Sequence, residues 1–167
     1  MRKEVIVIGA GGQGKVVADI FRLMRYRVSF VDDKIIGRTI SDLPKLIGKR
    51  TQLFVAIGDN NVREKIVSRI VDIVDFPKFA TAIHPSAVVS KDAYVGPGTC
   101  IMANAVVNSG CIIDPFSIIN TGATIDHDGM MGVFSSLGPG VVCGGNVDIK
   151  FNSAVCIGAV VREGVLS

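Results

Sequence analysis

The sequence predicts an α/β unit of the Rossmann-like, half-domain kind followed by a parallel β-helix, and three features carry that reading. Every sixth residue from Val89 to Val161 is apolar. The position two residues earlier, from Ala87 to Ala159, holds only alanine, serine, threonine, cysteine, glycine or valine. Ahead of this array a short apolar run meets Gly9, Gly11 and Gly14, and apolar residues then recur at helical spacing.

A six-residue period fits neither a 3.6-residue helix nor a long strand. It fits a solenoid whose short strands each turn one branched side chain inward, with the small residue two places earlier inward as well by strand alternation. Coils then stack about 4.8 Å apart, and each buries its apolar row against the next. The array breaks near residue 83, so the sequence divides into domains at 1–82 and 83–167. His84 and Pro85 mark the junction, because proline pushes the residue before it out of the helical region. His84 itself reads as structural.

Within the first domain, Val5–Ile8, Val28–Val31 and Leu53–Ile57 read as short buried strands. A helix from Lys15 to Met24 carries Val16, Val17, Ile20, Phe21 and Met24, and another from about Asn60 to Val71 carries Val62, Ile66, Val67 and Ile70 on one side. The result is a β-α-β-β-α unit with glycine turns at strand ends.

Composition narrows the field of functions. The chain has 167 residues, a net charge of +3 and dispersed lysines and arginines, which gives no footprint for nucleic acid. Cys100, Cys111, Cys143 and Cys156 show no CxxC spacing, and Cys143 occupies an inward row position, so a reduced, cytoplasmic compartment is expected. Only four apolar residues separate the charged start from Gly9, too few for a signal peptide or a membrane span. No metal is expected, since the sequence shows no His-Glu ligand cluster.

The spacing Gly9-x-Gly11-x-x-Gly14, with Asp32 and Asp33 following, suits a phosphate cradle at a helix N-terminus. One mononucleotide half precedes the solenoid, so a nucleotide-sugar fits better than a dinucleotide. In that reading the amides of Gly11, Gly12 and Gln13 face phosphate, and Asp32 or Asp33 accepts hydrogen bonds from base or ribose. The same glycines would also serve close strand–helix packing alone.

His127 is one of two histidines and stands two residues past the inward Ile125, in a coil corner between Asp126 and Asp128. A neutral imidazole there can take a proton from an attacking amine or hydroxyl, with an adjacent carboxylate orienting the ring. A solvated corner histidine is the alternative.

The runs GAGGQGKVVAD, Asp32-Asp33, AIGDNNVREKI, IHPSA, NTGATIDHD and CGGNV, in this order, resemble the hexapeptide-repeat acyltransferases that acetylate sialic acids or UDP-linked amino sugars such as bacillosamine. The resemblance implies a left-handed β-helix, a homotrimer, and acetyl-CoA as co-substrate in the groove between adjacent β-helices. It implies His127 as catalytic base and Asp128 as the acid that raises its basicity. Gly58 and Asn61, in the run AIGDNNVREKI, join Gly11, Gly12, Gln13, Asp32 and Asp33 as nucleotide-sugar contacts. Ser136, Gly145 and Ile157 fall where that family lines its coenzyme site, although many members carry histidine in place of Gln13 and some in place of Ser136. Relatives run about two coils further, so the β-helix reads as C-terminally truncated.

The expected function is acetyl transfer from acetyl-CoA to a nucleotide-linked amino sugar or a sialic acid in bacterial surface-glycan synthesis, without metal, nucleic acid or membrane insertion. Two alternatives stand beside it: a non-catalytic nucleotide-sugar-binding scaffold, and a small NAD-dependent dehydrogenase.

Overall fold

The computed structural model describes residues 3–35 and 38–165. By internal contacts it divides into two compact units, residues 1–80 and 81–167.

In the first unit, β1 (Glu4–Ile8), β2 (Arg27–Val31) and β3 (Thr51–Val55) form a parallel sheet in the order β2-β1-β3. Glu4 lies opposite Arg27 and Thr51, and Ile8 opposite Val31 and Val55. Val5 to Ile8 are all buried, as a central strand covered on both faces requires. Helix α1 (Gly12–Leu23) connects β1 to β2, and α3 (Asn60–Ile73) follows β3. A 3₁₀ turn at Ile40–Asp42 runs into the short α2 (Leu43–Leu46) between β2 and β3. This crossover was not among the expected elements. It is set by local polar chemistry, with the Thr39 amide and hydroxyl donating to Asp42 Oδ2 at 2.9 and 2.8 Å.

Two details of helix orientation correct the sequence reading. The buried side of α1 is Gly14, Val17, Ala18, Ile20 and Phe21, which leaves Val16 exposed because it stands outside that stripe. The buried side of α3 is Asn60, Arg63, Val67 and Ile70, and Val62 is exposed instead of facing the core. A charged residue therefore occupies an inward position that an apolar one was expected to fill.

The second unit is a stack of two-residue strands, from β4 (Ala82–Ile83) to β17 (Val160–Val161), in three parallel sheets. Partners lie eighteen residues, or three hexads, apart: Ala82 beside Cys100, Cys100 beside Ile118, Ile118 beside Ser136. Each coil is thus one turn of a three-sided prism. The interior is formed by the predicted rows, with Ile101, Val107, Ile113, Ile119, Ile125, Met131, Leu137 and Ile149 at most 1% exposed. Burying each such side chain contributes about 1.5–3 kcal/mol relative to exposure. Polar residues in the small row are satisfied by backbone: Thr99 Oγ1 and Ser117 Oγ each donate to a carbonyl of the following coil, at Asp114 and Gly132, both at 3.1 Å. Cys143 lies inside the prism, where burial pushes its thiol up to about 11. His84 closes a local turn, its Nδ1 accepting from the Ser86 amide at 3.0 Å.

Candidate active site

The glycine loop of the first unit contains two kinds of glycine. Gly9 has φ +101° and Gly14 lies so close to the Gly9 carbonyl that a Cβ would overlap it, so these two serve packing. Gly11 and Gly12 face open space. Helix α1 begins at Gly12 with Gly11 as its N-cap, without a side chain to satisfy the first amides, which leaves them for an anion.

The acidic pair holds this loop together. Asp32 accepts from the Ala10 amide at 2.8 Å and from the Lys34 amide at 3.0 Å, and these two bonds hold its carboxyl below the ordinary value. Asp33 accepts from the Ile40 amide at 3.0 Å and pairs with Arg69 at 2.6 Å, with the same direction of shift. The expectation that one of the pair reads base or ribose therefore meets carboxylates already engaged with the fold. Between them and α3 lies a cleft of about 160 Å³ lined by Ile8, Gly9, Asp32, Asp33, Ile40, Ile57, Val62 and Ile66. Its apolar walls explain why Val62 and Ile66 turn away from the core.

Gly58 and Asn61 are exposed at the start of α3, which Asp59 caps by accepting from the Val62 amide at 2.9 Å. Sequence reasoning missed Arg63. The residue is 1% exposed, and its guanidinium donates to the carbonyls of Ile57 at 2.9 Å and Gly58 at 3.0 Å and to Asn60 Oδ1 at 2.6 Å, fixing the β3–α3 loop. A lone arginine on a helix ordinarily reads as solvated, so the sequence carried no signal for it.

In the β-helix, Asp126, His127 and Asp128 form one corner between the strands β11 (Thr124–Ile125) and β12 (Met130–Met131). Asp128 has φ +57°, which swings its side chain back beside the imidazole, and Oδ2 meets His127 Nδ1 at 2.9 Å. An ionised carboxylate only accepts, so Nδ1 carries the proton and the lone pair is left on Nε2. The bond to Asp128, reinforced by the charges of Asp126, Asp128 and Glu163, raises the imidazole above its ordinary pKa. Asp126 Oδ1 accepts from the His127 amide and from Asn108 Nδ2, both at 2.8 Å, and anchors the corner to the coil before it.

Gly145 lies one coil after His127, and a Cβ there would come within 2.7 Å of Cε1 and Nε2 of the ring. The absent side chain leaves room for the imidazole. Ser136 sits at an outward strand position on another sheet, and Ile157 is 78% exposed at a different corner. Within one chain, therefore, Gly145 joins His127 and Asp128, while Ser136 and Ile157 do not. Among the described residues no group of three His, Cys, Asp or Glu side chains could hold a metal ion, and no helix is long and apolar enough to cross a membrane.

A glycine-capped helix in a small α/β unit and an exposed His–Asp pair on the corner of a hexad prism are the features expected of the hexapeptide-repeat acyltransferases. Residues 4–70 match the family described as PglD N-terminal domain. The chain is similar to the acetyltransferase domain of PglB from Neisseria gonorrhoeae FA1090 in complex with acetyl coenzyme A, at 33% identity and a TM-score of 0.89, covering 99% of this chain and 85% of that one. It is similar to PerB from Caulobacter crescentus in complex with CoA and GDP-perosamine, at 36% identity and a TM-score of 0.89, covering 98% and 82%. Over 114 residues it is 33% identical to the UDP-N-acetylbacillosamine N-acetyltransferase of Bacillus subtilis (strain 168), covering 60% of this chain and 51% of that protein. The chain thus spans about half the length of that Bacillus protein. It belongs to the hexapeptide-repeat family of nucleotide-linked amino-sugar N-acetyltransferases.

Proposed function

We propose that this chain transfers the acetyl group of acetyl-CoA to the amine of a nucleotide-linked amino sugar in bacterial glycan biosynthesis. The observation that carries the reading is the His127–Asp128 pair, held at 2.9 Å on an exposed corner, which leaves Nε2 to accept a proton. The acceptor amine attacks the thioester carbonyl carbon while Nε2 takes its proton, and a backbone amide donates to the oxyanion. Collapse of the tetrahedral intermediate breaks the carbon–sulfur bond, and the thiolate of coenzyme A leaves and is protonated. An amine acceptor is favoured over a sialic acid because the similar proteins carry names and ligands of amino sugars.

The active assembly in this proposal is a homotrimer. The sheet faces on either side of the His127 corner carry exposed outward residues, Val88, Val142 and Val160 on one and Tyr94, Ile112 and Met130 on the other. Apolar rows of this extent suit contacts between copies. A neighbouring copy would also bring Ser136 and Ile157 to the coenzyme beside His127, which one prism does not. Thiols rather than disulfides at Cys111, Cys143 and Cys156, together with the nature of both substrates, are consistent with the cytoplasm.

Two measurements address this reading. Titration calorimetry should show binding of UDP- or GDP-linked amino sugar, and Asp32→Ala should weaken it by about 1–3 kcal/mol, because the Ala10 amide loses its partner and the cradle loosens. Undiminished affinity would remove Asp32 from the site, and tight NAD binding by the parent would revive the dehydrogenase alternative. Asp128→Asn, in turn, should lower kcat by about 10-fold and move the acidic limb of the kcat/KM profile to lower pH. The sign follows from the raised imidazole: only neutral His127 accepts a proton, and withdrawing the Asp128 charge lets the ring stay neutral further into acid. An acidic limb that stays in place would separate Asp128 from the base.

A further inference from the structure

Backbone conformation alone does not require glycine at position 110. Gly110 has φ +71°, and the equivalent position of other hexads holds Asn104, Phe116, Asp128, Phe134, Asn146 and Asn152 at φ between 54° and 61°. What distinguishes Gly110 from Gly122, Gly140 and Gly158 is the residue stacked over it, as Gly98 is distinguished by the Phe116 ring. A Cβ at Gly110 would overlap Oδ1 of Asp128, one coil on, and lie 3.4 Å from its Cγ. Gly122, Gly140 and Gly158 share the positive φ, yet a Cβ on any of them would meet nothing within 4 Å. On the other side of the pair, the absent Cβ of Gly145 leaves the space beside Cε1 and Nε2 of His127. The base and its carboxylate therefore lie in a slot cut from the coils before and after them.

We propose that Gly110 is a positioning residue for the acyl-transfer reaction, fixing the Asp128 carboxylate against His127 Nδ1 by leaving the volume beneath it empty. The inference rests on His127 and Asp128 being the base and its partner. The group that a methyl would displace is the free end of a short side chain, which can rotate away about its own bonds at little cost to the fold. That rotation breaks the 2.9 Å bond to Nδ1, so the damage falls on the base and spares the prism. Neither substrate has to touch Gly110 for this to happen.

The test compares Gly110→Ala with Gly122→Ala, which adds the same methyl at the same backbone conformation in open space. Gly110→Asn provides the Cβ in a residue that tolerates positive φ, should the alanine variant fold poorly. The substrates are acetyl-CoA and a UDP- or GDP-linked amino sugar that the parent acetylates. Gly110→Ala and Gly110→Asn should lower kcat by on the order of 10- to 100-fold, part of the 10²–10⁴ that a positioned base supplies, with both KM values unchanged. Their acidic limb should move to lower pH, as in Asp128→Asn, while Gly122→Ala keeps the parent kcat and profile. Parent-like kcat and profile in the Gly110 variants, or an equal loss in Gly122→Ala, would overturn the inference. Full activity of His127→Ala would instead defeat the reading it rests on, so the two failures are distinct.

Discussion

Replacing His127 with alanine should lower kcat by about 10²–10⁴ and leave the affinities for both substrates nearly unchanged. The imidazole is exposed on a corner, so its removal opens no cavity, and the coil beneath it is held by backbone bonds such as Asp128 N to Ser109 O at 2.9 Å. The glycine turn proposed to hold the nucleotide lies in the first unit, apart in sequence from His127. What disappears is the acceptor for the proton that the attacking amine must lose as the new bond forms. That proton becomes acidic only as the carbon–nitrogen bond forms, so the loss acts on the transition state and appears in kcat. The variant should also lose the acidic limb of its pH profile, because the titrating group is gone. Steady-state kinetics over pH checks both statements, and parent-like turnover in His127→Ala would remove the residue from the chemistry.

Replacing Ile119 or Ile125 with aspartate should unfold the β-helix. Both side chains are 0% exposed in a prism whose three walls point their inward residues at one another, so a carboxylate there finds apolar neighbours and no room for water. An unpaired buried charge costs far more than the roughly 1.5–3 kcal/mol that isoleucine contributes by burial. Protonation at neutral pH reduces the penalty and still leaves a buried polar group without a partner. Because Ile119 pairs with Ile101 and Leu137 in the coils on either side, the disturbance spreads along the sheet. Loss of the cooperative thermal transition in circular dichroism is the expected result. A melting curve like that of the parent would contradict the inward assignment of the row.

The β-helix was legible because its structural period is written directly in residue types: Val89 to Val161 at every sixth position form the buried row of the stack. The three strands and two main helices of the first unit were legible for the ordinary reason of apolar spacing, and their ends shifted by a few residues. The crossover through Ile40–Leu46 was hidden because Thr39 and Asp42 set it by side-chain bonds within four residues, which leave no periodic trace. Arg63 was hidden because its burial depends on carbonyls that converge only after the β3–α3 loop has formed. The slot around His127 did leave a signal that the hexad alone did not reveal. Once a coil is counted as eighteen residues, Gly110 falls under Asp128 and Gly145 over His127, and both glycines acquire a reason.

Mass-spectrometric analysis of the acceptor after incubation with acetyl-CoA and this chain tests the central claim most directly. A panel of UDP- and GDP-linked amino sugars, with a sialic acid as the hydroxyl acceptor, covers the chemistry at issue. The account predicts one acetyl group added at the amine of a nucleotide-linked sugar, one equivalent of free coenzyme A released, and neither product with His127→Ala. Binding of the nucleotide-linked sugars without any acetylated product would contradict it and favour a binding scaffold.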